Sequence, residues 1–269
     1  MKVQNLKLKV QNSISAIVIT KNEEERIGQC LKSLTFAYEV IVVDDGSIDK
    51  TVEIAKKHGA RVVNLQKGSF SDRRNFGAKK ANGEWLFYVD ADELVTPALR
   101  KELKSKIQNL KSKINAYAIP RINILLGQEM KHGGWWPDYV IRLIRKESLK
   151  GWKGELHEQP EIKGEVGKLV NPLIHNSHRN LKEMVEKTNE WSEIEAKLMF
   201  GKDHPPVNLP RFGTAMFREF WYRAIIKKGF LDGPVGVIEI IYQVFSRFVS
   251  YAKLWELQIT NHNSQFTNN

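Results

Sequence analysis

Apolar and polar positions along this chain fall into blocks whose period switches between strand and helix four times before residue 95. ISAIVIT, residues 14–20, is an almost unbroken apolar run, as expected of a strand covered on both faces. Over 23–34 the period lengthens, placing Ile27, Leu31 and Leu34 on one face of a helix. YEVIVVDDGS returns to a continuous Val/Ile strand. SIDKTVEIAKKHG then reads as a capped helix with Gly59 as its stop, and ARVVNLQ as a third strand. Residues 70–81 predict another helix, and GEWLFYVDADE a fourth strand. This alternation predicts an α/β sheet with ligands at the carboxyl ends of its strands.

After Lys111 the pattern changes. AYAIPRINILLG, YVIRLIRK and GELHEQPEI predict shorter, more antiparallel strands, and from about residue 180 the chain turns helical. The expected organisation is a catalytic domain over 1–180, split into halves at 13–110 and 111–180. A helical region follows over 181–260, with a polar tail at 261–269. No internal repeat is present. AMFREFWYRAIIKKG and GVIEIIYQVFSRFVSYAKLWEL combine aromatic faces with Arg and Lys. A basic amphipathic helix of this kind can dock on a domain or lie in an anionic membrane interface.

Composition narrows the picture. With 269 residues, 42% hydrophobic and 10% aromatic, the chain can bury a substantial core. Cys30 is the only cysteine, so no internal disulfide can form. No secretion signal is expected from the first twenty residues, and Glu239 and Arg247 interrupt the longest candidate for a spanning helix. The net charge of +11 admits nucleic acid, anionic membrane or phosphorylated substrates without choosing among them.

Two acidic clusters bring chemistry into view. VVDDGSID carries Asp44 and Asp45 at one strand end; VDADE carries Asp90, Asp92 and Glu93 at another. Like charges this close repel unless something positive sits among them. Asp-x-Asp offers hard oxygen ligands to a divalent cation whose shell substrate phosphates complete. The plainer alternative is a solvated turn, with Glu93 opening the helix through Pro97. Neither G-x-G-x-x-G nor G-x-x-x-x-G-K-[ST] occurs, and no Gly-Asp dipeptide supports an aspartyl-nucleophile phosphatase.

The segments ISAIVITKNEEERIGQCLKSL, EVIVVDDGSIDKT, RRNFGAKKANGEWLFYVDADE and GELHEQP together resemble the family 2 glycosyltransferases of GT-A fold. The closest likeness is to the lipopolysaccharide-core glucosyltransferase type. The resemblance implies a Rossmann-like mixed sheet with helices on both faces, followed by a C-terminal helical extension. It also implies that Thr20, Asn22 and Glu23 line the nucleotide pocket, and that Asp45, with Asp44 beside it, meets the base or ribose. The alternative for Asp45 is to cap the following helix. Arg74 and Asn75 would contact the nucleotide or order a loop. Asp90 and Asp92 would bind Mn2+ or Mg2+ and the diphosphate of the donor, for which a UDP-hexose is expected.

An inverting transfer also needs a base. Glu158 in LHE is the first candidate, with His157 to orient it, bind the diphosphate or ligate metal; Asp138 is the reserve. His175 and His178 are expected to reach the phosphates, and Trp135, Trp136 and Trp152 to stack on sugars or pack. The implied acceptor is a lipopolysaccharide-core or other lipid-linked saccharide, and the implied location the cytoplasmic face of an inner membrane. Two other classes remain open: a phosphoryl- or nucleotidyl-transfer enzyme using the same metal site, and a non-catalytic module binding anionic lipid. Nucleic acid is not an expected partner, because acidic strand ends repel a polyanion.

Overall fold

The computed structural model describes residues 13–109, 112–156 and 158–267, the side chains of 261–267 excepted. The first half alternates as β1 (Ile14–Thr20), α1 (Ile27–Ser33), β2 (Glu39–Asp44), α2 (Thr51–Lys57), β3 (Arg61–Asn64), α3 (Phe70–Lys80) and β4 (Trp85–Asp90). β5 (Glu93–Val95) and α4 (Pro97–Gln108) follow. Next come β6 (Ile114–Leu125), β7 (Gln128–Glu129), β8 (Asp138–Arg145) and β9 (Leu149–Lys153). β10 (Gln159–Ile162), β11 (Glu165–Lys168) and β12 (Leu173–His178) complete the strands. The remainder is helical: α5 (Leu181–Phe200), α6 (Leu209–Phe220), a π turn over Trp221–Ile226, a 3-10 turn over Gly229–Asp232 and α7 (Gly233–Thr267).

The main sheet runs β3-β2-β1-β4-β8-β6-β12-β5. β1 pairs parallel with β2 and β4, whereas β8 is antiparallel to both β4 and β6. Successive residues of the parallel strands go to opposite faces. Val18, Phe87 and Val89 pack with Ile27 and Leu31 of α1 and Leu99 and Leu103 of α4. Ile17, Leu86 and Tyr88 pack on the other side with Phe70 and Phe76 of α3 and with Trp152. Helices therefore cover both faces of the mixed sheet, which is why its strands read as unbroken apolar runs. Because β1 lies between β2 and β4, the chain reverses direction across the sheet there, and a crevice opens beyond the carboxyl ends of β1 and β4. Gly77 sets how closely α3 lies on that sheet: a Cβ there would stand 2.4 Å from Ile17 Cγ2.

Several elements differ from expectation, for local reasons. α1 begins at Ile27 rather than 23, because Asn22 takes a left-handed conformation (φ 53°) and Glu23 N donates to Thr51 Oγ1. α2 begins at Thr51, since Ser47 and Asp49 bond across to the Asn22–Glu24 turn. β6 is twelve residues long, not short. Glu93 opens β5, paired with β12, rather than a helix; α4 is capped by Thr96 with Pro97 following. At the far end, the helical backbone of α7 runs on to Thr267 through most of the expected polar tail.

The chain divides into two compact units, described residues 13–122 with 138–175 and residues 123–137 with 176–267. The boundary expected near 180 thus lies at 175, and an internal segment joins the second unit. Hydrogen bonds within that unit explain the segment's allegiance. Lys131 N and His132 N donate to Asp232 Oδ2 at 3.0 and 2.8 Å, and Gly133 N donates to Lys227 O. The unit's apolar centre is Ala196, Val207 and Leu254, with Phe212 and Tyr251 against it.

Glu239 of α7 is buried in this unit; one carboxylate oxygen accepts from Gln243, while the other lacks a partner among the described residues. Burial pushes its carboxyl up to about 7 from an ordinary 4.5. The folded chain then binds this proton more tightly than the unfolded chain, so its contribution to stability falls as pH rises through that window. Glu239→Gln is expected to unfold like wild type near pH 4.5 but to be more stable at pH 8 by about 1–2 kcal/mol. Urea titrations of both proteins at the two pH values check this.

Candidate active site

The crevice at the ends of β1 and β4 is built by three carboxylates and the arginines that fold toward them. Glu93, fully buried, accepts from Asp90 N at 2.9 Å, which turns the chain back after β4. Arg142, also buried, reaches across from β8 and donates to Asp90 Oδ2 and, at 2.7 Å, to Glu93 Oε1. Arg121 of β6 bridges Glu93 at 3.3 Å and Asp138 at 2.6 Å. Arg74 of α3 donates from Nη2 to Asp90 Oδ1 at 3.0 Å and from Nε to Glu158 Oε1 at 2.9 Å. Its guanidinium lies over the Trp152 ring at 4.8 Å. Burial opposes the charge on Asp90, but Arg142 and Arg74 outweigh it and hold the carboxyl far below its ordinary value.

The positive charge among the strand-end carboxylates is expected to be a metal; at Asp90 the protein itself also supplies guanidinium, with each carboxylate oxygen accepting from an arginine.

Asp92 differs. Its Oδ1 is buried without a partner among the described residues, and its Oδ2 lies 3.6 Å from His175 Nε2 on β12. Burial by itself raises this carboxyl, yet the His175 imidazole more than compensates and holds it below its ordinary value. A free hard oxygen beside an imidazole suits Mn2+ or Mg2+, provided further ligands come from elsewhere. Among the described residues no three His, Cys, Asp or Glu side chains form a metal cage. Substrate phosphate oxygens would have to complete the shell.

Other buried polar atoms near these strand ends lack hydrogen-bond partners among the described residues, among them Thr20 Oγ1, Arg73 Nε, Arg74 Nη1 and Arg142 Nε. Unsatisfied buried donors and acceptors are costly and rare, so a group of them around one crevice marks a polar ligand's place. Thr20 ends β1, and Arg73 bridges to Asp45, whose carboxylate also lies 3.7 Å from Lys21. Asp45 therefore does not cap α2. Asp44 shapes the loop instead, accepting from Gly46 N, Ser47 N and Ser47 Oγ.

Asn22 and Glu23, expected to line the nucleotide pocket, are engaged elsewhere. Asn22 Oδ1 accepts from Ile48 N, and Glu23 forms a fork with Arg26 at 2.6 and 2.7 Å. Of the two roles open to Asn75, the structure shows the ordering one: its amide both accepts from Trp152 N and donates to Trp152 O. Trp152 is buried against Tyr88 and offers no free face to a sugar. Both base candidates are arginine-paired: Asp138 accepts from Arg121 and Glu158 from Arg74, and only Glu158 shares its arginine with Asp90. His157 lies outside the described residues. His178 belongs to the second unit, with its ring edge-on to Tyr242.

Sequence reading did not find Arg142, Arg121 or Arg73. A signal existed for Arg142: an arginine flanked by Ile141 and Leu143 in a strand, in a chain whose acidic cluster demanded a cation. Arg142→Met is expected to leave Asp90 and Glu93 buried without their shared partner and to lower stability by about 3–5 kcal/mol. Urea unfolding measures it, with Arg142→Lys expected to recover part of the loss.

Comparison with known proteins bears on this geometry. Residues 15–160 match the model of Glycosyl transferase family 2. The chain is 29% identical over 265 residues to an uncharacterized glycosyltransferase of Rickettsia typhi, covering 93% of this chain and 89% of that one. It is 26% identical over 260 residues to the lipopolysaccharide core biosynthesis glycosyltransferase LpsC of Rhizobium meliloti, covering 90% and 92%. Among solved structures, S. aureus TarS 1-349 in complex with UDP-GlcNAc aligns over 94% of this chain and 92% of its own, with 16% identity and a TM-score of 0.47. The matched segment begins in β1, runs through both acidic strand ends and closes just beyond Glu158, and on it this chain belongs to glycosyl transferase family 2.

Proposed function

We propose that the protein transfers a hexose, with inversion, from a UDP-sugar to a saccharide of the lipopolysaccharide-core class, assisted by Mn2+ or Mg2+. One observation carries the site assignment: a single guanidinium, Arg74, joins Asp90 of the acidic strand end to Glu158, the candidate base. The donor class follows from the family likeness of the strand-end motifs. The acceptor class is supported by the similarity to LpsC along nearly the whole chain.

In this reading Thr20 Oγ1 and Arg73 Nε, which lack partners among the described residues, bond the donor's polar groups, while Asp90 is kept ionised and fixed by Arg142. Asp92 Oδ1 and His175 would hold the cation, which when bound would neutralise charge on the departing diphosphate. Glu158 accepts the proton of the acceptor hydroxyl as its oxygen forms a bond to the anomeric carbon. The bond from that carbon to the diphosphate oxygen breaks, and its electron pair leaves with UDP. Attack opposite the leaving group inverts the anomeric centre. Arg74 positions the carboxylate of Glu158 and adds positive charge beside the diphosphate.

Calorimetric titration of UDP, with and without Mn2+, tests the donor side. Wild type is expected to bind UDP much more tightly with the metal, and Asp92→Asn to lose that enhancement. Equal binding without metal and in the variant would sink the Asp92 assignment.

Glu158→Gln tests the base. It should keep UDP affinity close to wild type yet lower turnover of a competent donor–acceptor pair by about 10²–10⁴-fold. Wild-type turnover in this variant would remove Glu158 from the mechanism.

A further inference from the structure

Within the second unit, α6 buries none of its twelve residues, although it carries Leu, Met and three Phe. Phe217, Phe220, Trp221 and Ile225 are all exposed along α6 and the π turn, with the Phe217 and Trp221 rings stacked at 5.8 Å. On α7 a second exposed stripe runs through Val237, Ile241, Phe245, Phe248, Trp255 and Ile259. Their spacing puts these six on one helical face. The two patches meet where Phe248 packs on Phe212 at 5.9 Å.

The stripe is not a core face turned outward. The opposite side of α7 already packs within the unit: Leu254 is fully buried, and Ser250 and Arg247 both bond Glu195 of α5. Soluble chains rarely expose a contiguous apolar surface of this extent without a partner for it.

The charges around the patch select that partner. Arg211, Arg218, Lys227 and Lys228 are exposed, and among the described residues none is ion-paired. Arg223 and Arg247 on the same elements are, by contrast, neutralised by Glu219 and Glu195. Exposed aromatic and aliphatic side chains beside unneutralised cations match a bilayer interface with anionic headgroups. Residues Gly229–Thr260 are long and apolar enough to cross a membrane by composition. Crossing would strip Arg247 and Ser250 from Glu195 and carry buried Glu239 into lipid. Lying on the surface keeps all three.

We propose that α6, the π turn and the outward stripe of α7 form a docking surface for an anionic lipid bilayer, lying in its interface without spanning it. The inference stands on this surface alone and does not depend on the donor or acceptor assigned above.

The test is flotation of the full chain with vesicles of phosphatidylcholine alone and with vesicles containing phosphatidylglycerol, at low and high salt. Wild type should float with the anionic vesicles and be released as salt rises. Lys227→Glu combined with Lys228→Glu should lower partitioning roughly tenfold or more. Phe217→Ser combined with Trp221→Ser should lower it further. Both variants alter exposed positions, so far-UV circular dichroism and UDP titration should match wild type. The proposal is overturned if wild type ignores anionic vesicles, or if the charge-reversed protein floats as well as wild type. A concentration-dependent dimer that Phe217→Ser/Trp221→Ser converts to monomer would assign the surface to a second copy of the chain and overturn it as well.

Discussion

The crevice depends on how three carboxylates can stand together at the end of a buried strand. Asp90 and Glu93 are tolerable there because Arg142 lies between them, and because Glu93 also caps the amide of Asp90. Removing a charge from such a set costs more than the set contributes, since the remainder is left buried and uncompensated. The cluster therefore fixes the turn from β4 to β5, and with it the direction of Asp92. It also ties together strands distant in sequence: β4, β5, β6 and β8 meet at these side chains. A parallel half that carries the nucleotide-type loops and an antiparallel half that closes the sheet are joined by ion pairs as well as by backbone ladders.

Arg74 extends this logic to chemistry. One residue contacts the acidic strand end and Glu158, and its guanidinium lies over the rings of Tyr88 and Trp152. Where this guanidinium stands depends on the position of α3, and that position is set by the absence of a side chain at Gly77. A packing requirement on one face of the sheet thus governs the spacing of groups at its edge.

The parallel half was legible in the sequence because its central strands β1 and β4 are buried on both faces, so burial leaves a nearly unbroken apolar run such as Ile14–Ile19 or Leu86–Val89. Asp90 and Asp92 were visible for the opposite reason, as charges that have no place at the end of such a run. What surrounded them was less legible. Arg142 and Arg121 come from antiparallel strands, where one residue in two is ordinarily polar and an arginine raises no question. That His175 stands beside Asp92 follows from the pairing of β12 with β5, which the sequence does not display. Asn22 and Glu23 carried family expectations, whereas their side chains bond neighbouring loop and turn atoms. Segment 123–137 could not be assigned to the second unit from its composition, since the bonds that hold it there are to backbone and to one buried Asp232.

The loops after β1 and β2 are laced to each other: Asn22 N to Ser47 Oγ, Ile48 N to Asn22 Oδ1, Glu23 N to Thr51 Oγ1, Glu24 N to Asp49 and Lys50 N to Glu24. Cross-linked in this way, the two loops have little independent conformational freedom, and ordering them further costs little of the entropy that fixing a flexible loop does.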